Sequence, residues 1–266
     1  MFDKVPHISI ITVCLNSVKF IETAINSVNN QHFKNREHIV IDGGSTDGTV
    51  DILKKFQDQQ ILSYVSEPDG GIYEAMNKGI KLATGKWIFF LGSDDIFFDD
   101  MVLERVFCEV EKNAKIIYGN VKYLHSGIIY DGPFDQEKIS KKNICHQSIL
   151  FQRIIFYDLG FFNLKYKICA DYEFNLRWMG AEIANLYINE TLVTYNEKGI
   201  SGRKLDDVFN NDFENLLIES NIISTKSFSA LKKKYSILIH SNRFKVGNVI
   251  ITPFVWIKNK IFLLKK

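Results

Sequence analysis

The 266-residue chain contains no run of about 18 consecutive apolar residues, so the usual mark of a membrane-spanning helix is missing. Its start, Met1-Phe2-Asp3-Lys4-Val5-Pro6, has no long apolar core and does not read as a secretory signal. Together these absences predict a cytoplasmic protein. Cysteine is scarce. Cys14, Cys108, Cys145 and Cys169 form no C-x-x-C pair and no zinc-type spacing with histidine. They read as buried free thiols in a reducing compartment. The net charge is only +2, so no bulk basic excess points to nucleic acid, and none is expected as a partner. Internal repeats and low-complexity tracts are absent as well.

What remains is an ordinary globular composition, 46% apolar and 24% charged. The length suits one large α/β domain, with or without a C-terminal appendage. His7–Leu15, Glu37–Asp42, Ile61–Val65 and Trp87–Leu91 read as short strands. Between them lie segments with helical spacing. Val18, Ile21, Ile25 and Val28 form one stripe behind a possible Ser17 cap, Val50, Leu53 and Phe56 a second, and Ile72–Ala83 a third helix. Apolar strands alternating with amphipathic helices predict a mostly parallel sheet covered on both faces. Beyond about residue 115 the pattern is mixed. Ile116–Tyr118, Ile128–Tyr130 and Ile144–Phe151 could be strands, Asp171–Met179 looks helical, and helix dominates from Asp206.

The polar clusters follow predicted strands. Asp42, the Glu67-Pro68-Asp69 loop and Asp94-Asp95 each stand just past a strand's carboxyl end, where open α/β sheets bind ligands. Carboxylates brought together there repel unless they meet solvent, bases, a cation or ligand hydroxyls. Asp94-Asp95 suits a divalent ion such as Mg²⁺ or Mn²⁺, and Mg²⁺ generally binds with substrate phosphates. Read alone, an Asp-Asp pair is more often a solvated turn or helix cap. Asp42 could accept from a base N–H or a ribose hydroxyl, with Gly43 and Gly44 allowing close backbone approach. Ser45, Thr46 and Asp47 read as helix capping. The segment is neither a P-loop nor G-x-G-x-x-G, which disfavours a dinucleotide cofactor.

Four segments in order, Thr12-Val13-Cys14-Leu15-Asn16, Val40-Ile41-Asp42-Gly43-Gly44-Ser45-Thr46-Asp47-Gly48-Thr49, Ser66-Glu67-Pro68-Asp69 through Asn77-Lys78-Gly79, and Leu91-Gly92-Ser93-Asp94-Asp95, resemble the motifs of family 2 inverting glycosyltransferases with the GT-A fold. The likeness is close over residues 6–100 and looser over 140–203. It implies a Rossmann-like α/β domain over 1–205, with a donor half (1–100), an acceptor half (101–205) and a helical extension over 206–266. It also implies a nucleotide-sugar donor, usually a UDP-sugar, and a saccharide or lipid-linked acceptor, as in bacterial exopolysaccharide, capsule and lipopolysaccharide assembly. Under the resemblance, Thr12, Asn16 and Asp42 hold the nucleoside and Asp69 and Lys78 line the donor pocket. Asp94 faces ribose or sugar, and Asp95 the metal. Many members carry Asp-x-Asp ending at the position of Asp94; Gly92 removes the first of these carboxylates here.

Further along, Cys145-His146-Gln147-Ser148 resembles a segment on the acceptor side, with His146 alternatively a structural histidine. Ala170-Asp171-Tyr172-Glu173 resembles the position of the family's catalytic base, which gives that role to Asp171, although the residue could also cap a helix. Lys198-Gly199-Ile200-Ser201-Gly202-Arg203 resembles a loop closing over the donor, with Lys198 and Arg203 available to the diphosphate. Near the end, Ile250, Phe254, Ile257, Ile261 and Leu264 share a helical stripe flanked by Lys258, Lys260, Lys265 and Lys266. That stripe suits either peripheral contact with the inner face of the cell membrane or packing on the domain. Lys232-Lys233-Lys234 reads as a solvated face.

The mechanism expected from these roles is a single displacement with inversion. Asp171 takes the proton of the attacking hydroxyl while a metal at Asp94 and Asp95 stabilises the leaving diphosphate. Two rivals are a sugar-nucleotide pyrophosphorylase, which would need a basic glycine-rich N-terminal loop, and a non-catalytic nucleotide- or glycan-binding module.

Overall fold

A computed structural model of the chain describes residues 6–109, 113–130, 132–197, 206–224 and 229. Its first half follows the predicted alternation: β1 (Ile8–Cys14), α1 (Ile21–Asn29), β2 (Arg36–Asp42), α2 (Thr49–Asp58), β3 (Ser63–Ser66), α3 (Ile72–Leu82) and β4 (Trp87–Gly92). The strands lie side by side in the order β3-β2-β1-β4, all parallel. The apolar runs of β1, β2 and β4 are buried from both faces, as parallel strands covered by helices must be, while β3 at the sheet edge is partly exposed. In α1 the residues Ile21, Ala24, Ile25 and Val28 turn inward together, as a 3.6-residue period requires. Ser17 does not cap this helix; its carbonyl accepts from the Phe20 and Ile21 amides one turn earlier.

The second half comprises β5 (Ile96–Phe97), α4 (Val102–Glu109), β6 (Ile116–Tyr123), β7 (Ile129–Tyr130), α5 (Gln136–Ile139), a 3₁₀ turn at His146–Ser148, β8 (Ile149–Gln152), α6 (Ile154–Asp158), α7 (Ala170–Gly180), β9 (Asn185–Tyr195) and α8 (Asp207–Glu219). These strands extend the same sheet as β4-β8-β6-β9-β5, with β7 paired to β6. β8 is antiparallel to both neighbours, β9 is parallel to β6, and β5 is antiparallel to β9. The sheet is therefore parallel through its first half and mixed beyond it. The predicted strand Ile144–Phe151 is shortened because His146-Gln147-Ser148 winds into the 3₁₀ turn, leaving only Ile149 onward to pair.

One core, with Met76, Phe90, Phe151, Phe156, Phe174 and Trp178, lies on the face covered by α3 and α7. On the other face Val28 of α1 and Leu103 and Val106 of α4 pack with Ile10 and Phe89, while Leu53 and Phe56 of α2 join a neighbouring cluster. Helix α8 docks through Phe209 and Phe213, whose ring centroids stand 5.2 and 5.3 Å from that of Tyr172. Asp206 caps α8 through the Phe209 amide and also accepts from the amides of Ile168 and Cys169. All four cysteines are free, but only Cys14 is buried; Cys108 is exposed. No helix among the described residues is long and apolar enough to cross a membrane. Lys198, Arg203, Lys232–Lys234 and the stripe from Ile250 to Leu264 lie outside the described residues.

The register places the strand tips together: Cys14 opposes Asp42, and Val13 opposes Gly92. At the opposite end, a Cβ on Gly85 would stand 2.6 Å from the Ser9 amide nitrogen and 2.8 Å from the Ile8 carbonyl carbon. Backbone cannot give way there as a side-chain end could. Gly85→Ala is therefore expected to cost about 1–3 kcal/mol, a typical overpacking penalty. The melting temperature should fall by roughly 2–4 °C per kcal/mol. An unchanged melting temperature would show that the loop before β4 yields freely.

Candidate active site

The crevice lies beyond the carboxyl ends of β1 and β4, where a cavity of about 160 Å³ is lined by Val13, Ile72, Met76, Gly92, Ser93, Asp94, His146, Gln147, Tyr195 and Asn196, among others. Asp94 and Asp95 reach it differently. Asp94 is half-buried on the cavity wall, and its Oδ2 accepts from Asn196 Nδ2 at 3.0 Å. Asp95 is only 1% exposed. Its Oδ1 accepts from the Asn196 amide at 2.7 Å and its Oδ2 from Gln147 Nε2 at 3.1 Å. Gly92 makes this placement possible, because a Cβ there would stand 2.3 Å from Asp95 Oδ2. The carboxylate of Asp95 thus occupies the space that a side chain at position 92 would enter. Burial raises the pKa of both acids, and pushes that of Asp95 up to about 7.

This geometry bears on the expected cation. Among the described residues no group of three or more His, Cys, Asp or Glu side chains could hold a metal ion. Asp95, assigned to the metal by the resemblance, has both oxygens committed to N–H donors and does not line the cavity. Asp94 alone of the pair faces it. One carboxylate is too little to cage an ion, but it fits Mg²⁺ or Mn²⁺ carried in on a diphosphate, whose oxygens and water supply the other ligands.

Asp42 also sits otherwise than expected. It is fully buried at the tip of β2. Oδ2 accepts from the amides of Gly44 and Ser45 and from Ser66 Oγ, and Oδ1 from the hydroxyl of Ser45. Burial works to raise its pKa, but the donors from Ser45 and Ser66 outweigh it and leave the carboxyl below its usual range. It therefore holds the glycine loop in shape. Asp69 packs beside that loop, its Oδ2 3.0 Å from where a Cβ on Gly43 would be, and its Oδ1 accepts from the Gly71 amide.

The Thr12 side chain is likewise fully buried, 3.0 Å from His38 Nε2. Burial, aided by Arg36, pushes the pKa of His38 down to about 3, so the pair is a neutral buried contact between β1 and β2. Asn16 is exposed with φ 51°, and its Oδ1 accepts from the Thr46 amide. Lys78 points to Glu67 at 2.9 Å and Glu74 at 3.6 Å, at the rim of the loop after β3.

The 3₁₀ turn brings His146 and Gln147 to the cavity, and the first turn of α7 lies behind it. Asp171 does not cap α7, which starts at Ala170 behind Cys169 without a side-chain cap. Its carboxylate instead gathers donors: Tyr73 Oη at 2.7 Å on Oδ1, and Asn143 Nδ2 at 2.9 Å and His146 Nδ1 at 3.2 Å on Oδ2. Asp171 is 8% exposed. Glu173, the alternative acid on this helix, is buried against Arg177 at 2.9 Å. Burial, and next the nearby Asp171, raises the pKa of Tyr73 well above the usual phenol range, so it stays protonated.

Asp94 and His146 are thus brought to one cavity from distant parts of the chain, with Asp171 directly behind His146. Sequence reasoning missed Tyr73, Asn143, Gln147 and Asn196. Tyr73 and Gln147 lie within the motif segments without having been given a role, whereas Asn143 and Asn196 become candidates solely by what they touch.

The sequence profile described as "Glycosyl transferase family 2" matches residues 9–171. A PGL/p-HBAD biosynthesis glycosyltransferase of Mycobacterium bovis (strain BCG / Pasteur 1173P2) is 35% identical over 211 residues, covering 77% of this chain and 82% of that one. Among solved structures, Staphylococcus aureus TarS 1-349 in complex with UDP is similar with a TM-score of 0.67 at 18% identity. That match covers 80% of this chain, which spans 64% of the TarS fragment. The mannosyltransferase PcManGT from Pyrobaculum calidifontis, in complex with GDP-Man and Mn²⁺, is similar with a TM-score of 0.59 at 14% identity, over 90% of this chain and 82% of that one. At these identities the structural likenesses speak to the fold.

The raised pKa of Asp95 has a signed consequence for stability. The folded state holds this proton more tightly than the unfolded chain, whose value is near 3.8. The proton's contribution is complete below that pH and is lost as pH rises toward about 7. Asp95→Asn removes the titration. The stability of the variant relative to wild type should therefore grow between pH 4 and pH 8, by on the order of 1–4 kcal/mol at about 1.4 kcal/mol per pKa unit. Urea unfolding at the two pH values measures it, and a pH-independent difference would refute the burial of an ionisable Asp95.

Proposed function

The chain belongs to glycosyl transferase family 2 and is a glycosyltransferase with a GT-A-type α/β fold, and we propose that it transfers a sugar from a nucleoside diphosphate donor to a hydroxyl of a saccharide or lipid-linked acceptor. The observation that carries this reading is the cavity at the β4 tip, which brings Asp94 and His146 together, with Asp171 bonded to His146 from behind. An inverting transfer needs a contact for the leaving diphosphate and an acceptor for the hydroxyl proton at one site.

The donor is a UDP-sugar in this reading, which TarS solved with UDP supports by analogy of fold. Asp94 would hold the divalent cation that accompanies the diphosphate. When bound, such an ion supplies positive charge that offsets the charge developing on the leaving group. Asp95 orients Asp94 indirectly by fixing Asn196, whose side chain donates to Asp94. Asp42 shapes the loop that Asp69 packs against, and Asn16 ties the β1 tip to that loop through Thr46. Lys198 and Arg203 are assigned to the diphosphate on the sequence pattern.

On the acceptor side the hydroxyl proton goes to the His146–Asp171 pair as the oxygen attacks. A single displacement of this kind inverts the anomeric configuration and leaves no covalent sugar on the enzyme. On the sequence resemblance, the reading keeps a donor half (1–100), an acceptor half (101–205) and a C-terminal extension (206–266), and a place in bacterial surface polysaccharide assembly. Peripheral attachment to the inner face of the membrane through the basic C-terminal stripe completes the reading.

Asp94→Ala tests the donor wall. It faces the cavity and does not support the core, so the variant should fold with a near wild-type melting temperature. UDP release from a panel of UDP-sugars, with aryl glycosides as acceptors, should drop by about 10²-fold or more, the scale of losing a transition-state charge contact. Chelation with EDTA should depress the wild type similarly. Full turnover in EDTA together with an active Asp94→Ala protein would remove the cation from the scheme.

A further inference from the structure

We infer that the β6–β7 hairpin is an acceptor subsite, whose exposed aliphatic side chains Leu124, Ile128 and Ile129 take an uncharged apolar aglycone joined to the acceptor sugar. The inference rests on the transferase reading above and names the kind of acceptor that reading leaves open.

Topology brings the hairpin to the crevice. β6 is antiparallel to β8, which is antiparallel to β4, so β6 and β4 run in the same direction. The carboxyl end of β6 therefore emerges at the end of the sheet where the cavity lies. In register, Tyr123 stands opposite Tyr195, a cavity-lining residue, and the Leu124 amide donates to the Tyr195 carbonyl at 2.8 Å. The Tyr123 ring centroid is 5.7 Å from those of both Tyr195 and Tyr130. The returning strand is tied to the carboxylate behind His146. Tyr130 Oη donates to the Asn143 carbonyl at 2.6 Å, and the Asn143 side chain donates to Asp171. Contacts thus run without a break from the hairpin to the cavity on one side and to Asp171 on the other.

What the hairpin presents is apolar. Leu124 is 52% exposed, and Ile128 and Ile129 are each 59% exposed. None of the three belongs to a packed core. Phe98, half-exposed, adds to the same region, since the Lys122 ammonium opposite Ile129 lies 5.8 Å from its ring centroid. A single exposed aliphatic residue is ordinary, but three within six positions, beside a polar cavity, mark a contact surface. The turn is also held in shape: the Glu197 carboxylate accepts from the amides of His125 and Ser126.

That same carboxylate favours one occupant. It places negative charge at the hairpin tip, which opposes an anionic lipid surface. β7 pairs through only two residues, too short an edge to recruit a strand from a second copy. A hydrocarbon or aryl group attached to the acceptor sugar meets neither objection. Its burial supplies binding that sugar hydroxyls, already well solvated by water, do not.

The test uses the full chain and n-alkyl glycosides from methyl to hexyl, in gluco, galacto and manno series, so that the apolar group varies on a constant sugar. In ¹³C-methyl spectra of isoleucine-labelled protein, hexyl glycosides should shift the Ile128 and Ile129 signals, assigned with Ile128→Val and Ile129→Val, and methyl glycosides should not. This readout needs no turnover, and unmoved signals overturn the inference. In the UDP-release assay, KM for the glycoside should fall by about two- to fourfold per added methylene, the upper figure corresponding to full burial, with kcat little changed. Leu124→Ser combined with Ile129→Ser should fold normally, since both side chains are more than half exposed, and should abolish the chain-length dependence. Ile128→Ser serves in its place should the pair disturb folding. Ile154→Ser, an exposed aliphatic at the far end of the sheet, should retain the dependence. A wild-type KM indifferent to chain length, or a dependence that survives in the hairpin variants, overturns the inference and leaves the transferase reading intact. So does hairpin-dependent sedimentation with anionic vesicles alongside an unaltered chain-length dependence, which would make the hairpin a membrane contact. If the wild type releases no UDP from any sugar donor, the UDP-sugar reading fails, and the methyl spectra decide the subsite separately.

Discussion

The crevice depends on one clasp. Asn196, just past the end of β9, gives its backbone amide to Asp95 and its side-chain amide to Asp94. β4 belongs to the parallel half of the sheet and β9 to the mixed half, so this residue locks the two halves together where ligand would sit. The clasp needs Asp95 turned inward, and Asp95 can turn inward because Gly92 has no side chain. A buried carboxylate with its pKa near 7 is costly, yet every oxygen has a donor, which is the condition under which such burial is tolerated.

From that clasp the site assembles in layers. The β4 tip presents one carboxylate, Asp94, to the cavity. Gln147 reaches Asp95 from the 3₁₀ turn, so the next residue along, His146, is carried to the same cavity. Behind it, Asp171 is held by Tyr73 from α3 and Asn143 from the segment before the turn. Tyr73 Oη also stands 2.6 Å from the Ile168 carbonyl oxygen, so its one proton is shared between that oxygen and Asp171, linking α3 to the entry of α7. Polar groups that are far apart in the chain thus restrain one another across the crevice, and each restraint is buried enough to be strong.

The three carboxylates at the ends of β2 and β4 sit in separate settings. Asp42 is bonded into the turn it terminates, Asp95 into the clasp, and Asp94 faces the cavity. The donors converging on each carboxylate offset the repulsion that Asp94 exerts on Asp95.

Much of this was legible in the chain itself. The alternation of β-branched runs with amphipathic stripes determined the parallel half of the sheet, because side-chain periodicity alone decides which faces are buried. The motif order placed Asp42, Asp69, Asp94 and Asp95 beyond strand ends, and Ala170-Asp171 at a helix start. Sequence could not say which oxygen of which acid remains free. Asp42, Asp94 and Asp95 are the same residue type in the same kind of loop, and only the donors converging from Ser66, Gln147 and Asn196 distinguish them. Nor could it reveal the direction of β8, since an apolar strand reads the same in either sense. The pairing of His146 with Asp171, 25 positions apart, arises only when a 3₁₀ turn and a helix pack against each other. Local periodicity is written along the chain; hydrogen-bond partnership is a property of the folded neighbourhood, and here it decides the chemistry.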